Sequence, residues 1–240
     1  MSHDALISEL ALANRLLVNE DVLDTFGHVS CRHPDRPDRY FLAAALAPVT
    51  VGPADILEFD LDGALLTPSD RPLYSERVIH SEIYRARPDV AAIVHHHAPA
   101  VLPFCVSGQR LVPVTQTGAA MGPNVPFWDS ADDFGDTNLL LTRPEEGQSL
   151  ARALGPDWVV LMKRHGATVV GRSLREMVFR AIHSTSNART QMQAMLMGGV
   201  DALTPGEIAL AGGDLKPSPV NRTWNHALRR LHLLESGITG

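Results

Sequence analysis

Three consecutive histidines, His95-His96-His97, close an apolar run that begins at Val90, and they are the residues best placed to do chemistry. If Val90 to His97 is a strand, side chains alternate between its faces, so His95 and His97 share one face and His96 takes the other. Two imidazoles on one face make a chelate for a divalent cation. A third histidine, His165, stands in Lys163-Arg164-His165-Gly166 after another apolar run, Trp158 to Met162, where Gly166 allows a tight turn. Upstream, Ser75-Glu76-Arg77-Val78-Ile79-His80 opens a segment with Val78, Ile79, Ile83 and Tyr84 at helical spacing. Ser75 suits the N-cap and Pro88 the stop, which puts Glu76 and His80 on one helix face. Two histidines on one strand, one on another and a nearby carboxylate compose an open, catalytic kind of metal site with positions left for substrate. A solvated, histidine-rich strand end is the alternative reading of the triplet taken alone.

The elements that must carry these residues follow from periodicity. Leu6, Leu10, Ala13, Leu16 and Leu17 predict an opening amphipathic helix behind Asp4. In Asp24-Thr25-Phe26-Gly27-His28-Val29-Ser30-Cys31-Arg32, Gly27 permits a turn and Val29 to Arg32 alternates like a strand. His28 and Ser30 could face the site, or be an edge-strand histidine and a turn-stabilising serine. Tyr40 to Ala47 reads as a strand, and Leu57–Phe59 and Ala64–Thr67 flank Asp62-Gly63, a hairpin signal. This is a meander of short strands and not a Rossmann unit. Pro99 to Val106 suits a helix with Pro99 in its first turn. Thr115 to Asp136 lacks periodicity and reads as a loop over a cleft or at a subunit contact. Glu145 to Leu154 reads as a helix. A long helix is predicted from Ser173 to about Gly198, with Leu174, Met177, Val178, Ala181, Ile182, Ala188, Met192 and Met195 buried. A further helical turn near Glu207, a link from Gly212 to Pro219 and a helix from about Thr223 to Leu234 close the chain.

Composition excludes several classes. A chain of 240 residues, 45% hydrophobic, holds one large domain with a substantial core, here residues 1–240 with a helical tail from about 204. A net charge of −6 and the lack of a basic run argue against nucleic acid or anionic membrane as partner, which leaves a small molecule. Cys31 and Cys105 sit in apolar surroundings, so no disulfide framework is expected and a cytoplasmic setting fits. The segment from Met1 to Leu6 lacks the features of a signal peptide, and no stretch approaches a membrane span.

Together, Gly27-His28-Val29-Ser30, Ser75-Glu76 leading to His80, Arg87-Pro88-Asp89, Val94-His95-His96-His97-Ala98 and His165-Gly166 resemble the class II aldolase/adducin family over most of residues 5 to 200. The resemblance implies a three-layer α/β fold, a mostly antiparallel central sheet flanked by helices, in a homotetramer with active sites at subunit interfaces. It implies that His95, His97 and His165 bind a divalent metal (zinc, manganese, iron or cobalt) and that Glu76 is the acid/base and a further ligand when no substrate is present. Sugar-phosphate aldolases of the family hold phosphate with Gly-Asn-Val-Ser, a Thr-Gly pair in the following loop and Ser-Ser before the glutamate. This chain has His28, the apolar Ala43-Ala44-Ala45-Leu46-Ala47-Pro48 and Tyr74-Ser75 at those places. Without those donors a phosphate is poorly served, and an apolar, histidine-rich pocket suits a flat ring with carboxylates and hydroxyls.

Residues 74–88, with Pro99 to Phe104, are most similar to family members that decarboxylate hydroxylated aromatic acids such as hydroxy-methylpyridine-dicarboxylate, dihydroxyphthalate and dihydroxy-cumate derivatives. The expected activity is therefore metal-dependent, non-oxidative decarboxylation of a hydroxyaromatic or pyridine carboxylic acid in aromatic catabolism, with Glu76 as general acid. The alternatives are an aldolase or epimerase acting on a non-phosphorylated hydroxycarbonyl compound, and an adducin-like scaffold, against which the intact metal set counts. His28, Ser75 and His183 are candidates to hold substrate, His183 alternatively an ordinary polar or subunit-contact residue. His80 is expected to orient Glu76. Arg32, Arg164 and Arg180 fit surface salt bridges better than substrate carboxylate, and His96 should point away from the metal.

Overall fold

A computed structural model describes residues 3–237. Met1, Ser2 and residues 238–240, the ends of the expected domain, lie outside the described residues. Seven strands form one sheet in the order β3-β2-β1-β4-β7-β6-β5. They are β1 (His28–Arg32), β2 (Arg39–Ala43), β3 (Ile56–Asp60), β4 (Ala92–His96), β5 (Phe127–Trp128), β6 (Val159–Met162) and β7 (Gly166–Gly171). Every neighbouring pair is antiparallel except β5 with β6, as expected for a mostly antiparallel sheet.

The strands are buried on both faces, and their alternation divides the core into two layers. Val29, Cys31, Ala92, Val94, Leu161 and Val169 pack on one face with α1 (His3–Asn19), α6 (Leu174–Leu196) and α8 (Pro217–Glu235). Tyr40, Leu42, Ile93, Val160 and Val170 pack on the other with α2 (Arg77–Ala86) and α5 (Pro144–Leu154). The result is the three-layer sandwich that the period-2 pattern requires. Among the described residues no helix is long and apolar enough to cross a membrane.

Several local expectations are corrected. Glu76, not Ser75, occupies the N-cap of α2, and no side chain caps it. The helix after the histidines is α3 (Leu102–Ser107), entered through Pro103 and not Pro99. Residues 115–136 are not all loop: Thr117–Met121 forms a 3-10 turn with a buried wall, β5 joins the sheet edge, and α4 (Ser130–Phe134) follows. Met195 is exposed on α6. After α7 (Pro205–Gly212), α8 begins at Pro217, six residues before its expected start, because proline at the first helical position has no N–H to leave unpaired. Trp224, Ala227 and Leu231 of α8 belong to the main core, so the C-terminal segment is packed structure.

Candidate metal centre and cleft

The site forms where β4 ends beside the turn between β6 and β7. His95 lies within β4, paired with His28 on β1 and Thr168 on β7. His97 follows the last strand residue, and His165 immediately precedes β7. The third histidine is positioned by Arg164, which adopts a left-handed φ of 58°, and not by a glycine turn. Gly166 is needed for a different reason: a Cβ there would sit 2.3 Å from the His96 carbonyl and 2.8 Å from the His97 ring. Gly27 likewise serves close packing against Leu23 and the His95 carbonyl.

The nitrogens of His95, His97 and His165 converge within 4.8 Å of one another. His97 Nδ1 is 3.1 Å from both carboxylate oxygens of Asp24. His95 Nδ1 is 3.3 Å from Thr168 Oγ1, whose hydroxyl is turned toward Met162 Sδ. Both rings therefore carry their proton on Nδ1 and turn a lone pair outward at Nε2. Those two Nε2 atoms face each other at 3.0 Å. Lone pairs so close repel unless a cation lies against both, and ligand nitrogens on bonds of about 2.0–2.1 Å stand at about this separation. Burial holds His95 well below the usual imidazole range and His165 down to about 4, so both stay neutral and available. The donor set fits a divalent cation. His96 points away, accepting from the Ala98 N–H at 3.2 Å.

Glu76 stands beside the cluster, its Oε1 3.6 Å from His165 Nε2 and accepting from the Leu141 N–H at 3.1 Å. Burial, assisted by the nearby Glu146 charge, outweighs that hydrogen bond and pushes the carboxyl up to about 7. The group can therefore hold or release a proton near neutrality. Sequence reasoning missed Asp24, Thr168 and the 139–141 segment. Asp24 lies 73 residues from His97 and Leu141 lies 65 from Glu76, and no local spacing rule reaches so far.

The cluster opens into a cleft of ≈ 690 Å³ that exposes Ser75, Glu76, His97 and His165 among Phe26, Leu46, Tyr74 and Leu140. Ser75 is thus where substrate would be. His28 sits behind the wall, its ring 4.5 Å from Tyr74 and 5.2 Å from His95. His183 is not part of this cleft. It lines a separate cavity of ≈ 470 Å³ between α6, α7 and α8, 3.2 Å from Thr223 Oγ1, because its helix face turns toward the C-terminal helices. Nor does His80 orient Glu76; it bonds to His28 and Ser30 instead. Arg180 is fully buried, paired with Glu176 and stacked over Trp158 at 4.0 Å, so it is neither a surface nor a substrate arginine. Arg32 is spent on backbone carbonyls, including those of Val90 and Tyr84.

A three-layer sandwich with three converging imidazoles and an adjoining protonatable carboxylate defines a metal-site lyase class. Residues 8–192 match the class II aldolase and adducin N-terminal domain, and the chain belongs to that family. It is 36% identical over 200 residues to decarboxylase tropJ of Talaromyces stipitatus, spanning 78% of this chain and 75% of that one. It is 30% identical over 205 residues to the 3,4-dihydroxyphthalate decarboxylase of a Terrabacter species, spanning 85% and 82%. The L-fuculose 1-phosphate aldolase of Glaciozyma antarctica superposes with a TM-score of 0.81 at 22% identity, over 98% of this chain and 91% of that one, which is a likeness of fold. With decarboxylases and aldolases as its enzyme relatives, the chain is a carbon–carbon lyase.

Proposed function

We propose that the protein is a divalent-metal-dependent, non-oxidative decarboxylase of a hydroxylated aromatic or pyridine carboxylic acid, serving aromatic catabolism in the cytoplasm. The observation that carries this reading is the cleft itself: Phe26, Leu46 and Leu140 form apolar walls where the fold family binds phosphate, and Glu76 and two histidines of the cluster meet them at one end. Such walls suit a ring and exclude water from a developing charge. The decarboxylase relatives support the same chemistry.

A cation held by His95, His97 and His165 would supply positive charge against the oxygen that becomes anionic as the carbon–carbon bond breaks. The electron pair of that bond passes into the ring, carbon dioxide leaves, and protonated Glu76 delivers its proton to the ring carbon. Glu76 then regains a proton from solvent, so one proton is consumed per turnover. Ser75 at the cleft wall is assigned to a substrate hydroxyl or carboxylate. A homotetramer with the cleft near a subunit contact is supported by Phe26, which is 71% exposed at the rim.

The test is a product assay with protein reconstituted separately with zinc, manganese, cobalt and iron(II), offered ortho-hydroxylated aromatic and pyridine dicarboxylates. Carbon dioxide release that requires metal, vanishes in His97→Ala and falls at least 100-fold in Glu76→Gln with metal still bound is the expected result. Cleavage of a hydroxycarbonyl compound without any carbon dioxide would assign an aldolase instead.

A further inference from the structure

Four buried polar residues outside the metal set form one unbranched hydrogen-bonded line. Tyr84 Oη lies 2.8 Å from Ser30 Oγ, Ser30 Oγ lies 2.6 Å from His80 Nδ1, and His80 Nε2 lies 2.6 Å from His28 Nδ1. None of the four is more than 1% exposed. The last polar atom, His28 Nε2, is buried with no hydrogen-bond partner. Because the His28 ring lies against both Tyr74 and His95, the line runs from the core to the wall of the three-histidine cluster.

Counting protons gives the line a direction. Each of its links holds one proton, and among the described residues no carboxylate touches any of the four, so all are neutral. Ser30 is the sole partner of the Tyr84 hydroxyl. If Tyr84 donates to Ser30, Ser30 donates to His80 Nδ1. His80 then donates its Nε2–H to His28 Nδ1, and His28 carries its own proton on Nε2. One group, that N–H, is left unmet. In the reverse direction the Tyr84 hydroxyl proton has no acceptor in the core and His28 Nε2 becomes an unpaired lone pair, so two groups are unmet. Unmet polar groups in a core are costly and rare, and the forward direction leaves fewer.

We propose that this line presets His28 as an N–H donor at Nε2, held beside the metal cluster for an anionic oxygen of the substrate that enters past Tyr74. Tyr84, Ser30 and His80 are its positioning residues. The inference rests on the decarboxylase reading for the identity of the oxygen, a carboxylate or phenolate. A lone pair at Nε2 would make His28 a fourth metal ligand; an N–H makes it an anion donor and bars it from the metal. The line also gives a reason for the histidine in Gly27-His28-Val29-Ser30: residues 28 and 30 point to the same side of β1, so both meet α2 at His80.

The experiment is long-range ¹H–¹⁵N correlation on the whole protein labelled with ¹⁵N-histidine, with the His28 signals identified by their loss in His28→Gln. The expected result is a single neutral tautomer protonated at Nε2, which becomes a mixture in Ser30→Ala. A proton on Nδ1, an imidazolium, or an unchanged tautomer in Ser30→Ala overturns the proposal, and the wild-type reading needs no variant to fold. Salicylate added to the zinc-loaded protein should shift the His28 Nε2–H proton, and no shift would remove the donor from substrate binding. The tautomer is read without substrate or turnover, so it stands or falls separately from the carbon dioxide assay.

Discussion

At the scale of single residues, Glu76 combines a functional and a destabilising role. Its carboxyl titrates near 7 in the folded chain against an ordinary value of 4.5. Between those values folding takes up a proton, so stability falls as pH rises through that window and the loss is complete above it. Metal-free Glu76→Gln, which keeps an acceptor for the Leu141 N–H, should therefore be more stable than the parent at pH 8 by on the order of 2–3 kcal/mol. The gap should close below about pH 4.5, and denaturant titrations at the two pH values check it. Asp24 acts through His97: it fixes the Nδ1 proton and so turns Nε2 toward the cluster. Asp24→Asn should weaken zinc binding about 10- to 100-fold, measured by competition with a chromophoric chelator, with little change in fold.

At the scale of elements, the metal set depends on how tightly β7 lies against the end of β4. Gly166 begins β7 at the only size the His96 carbonyl and His97 ring allow. Gly166→Ala must push one of them away, and a destabilisation of about 2–3 kcal/mol is expected in chemical denaturation, together with reduced zinc content. Sequence pattern made β4 legible because alternation is a local consequence of the pleat: His95 and His97 were bound to share a face. The turn before His165 was placed correctly for the wrong reason, since the left-handed residue is Arg164 and the glycine answers a tertiary clash. The start of α2 was one residue out, and that residue matters, because it makes Glu76 the N-cap with its side chain directed to Leu141 and not along the helix toward His80.

At the scale of the whole molecule, large apolar side chains remain outside the core in groups. Leu196 and Met197 at the end of α6 are 89% and 88% exposed, and Phe26 at the cleft rim is 71% exposed. Contiguous exposed apolar surface marks a contact with another chain. Light scattering should report four times the 26.1 kDa chain mass, and Leu196→Asp should lower that mass. A monomeric parent would refute the assembly. The antiparallel sheet and both helical layers were legible in the chain's periodicity and its resemblance to the family. The packed C-terminal helix was not, because the contacts of Trp224 and Leu231 with the main core lie far away in sequence.

What the sequence determined by itself is therefore what short-range geometry and residue chemistry can specify: three imidazoles and a carboxylate of the right types, two of them on one strand face, in a chain with an apolar loop where phosphate donors would stand. Only the tertiary structure decided which groups those residues meet. It brought Asp24 and Thr168 behind the ligands, set the Leu141 N–H against Glu76, sent His183 to a different cavity, and joined His28 to Tyr84 through His80 and Ser30. These partners are 50 or more residues apart along the chain, and it is burial in a common core that brings such distant polar groups to hydrogen-bonding distance.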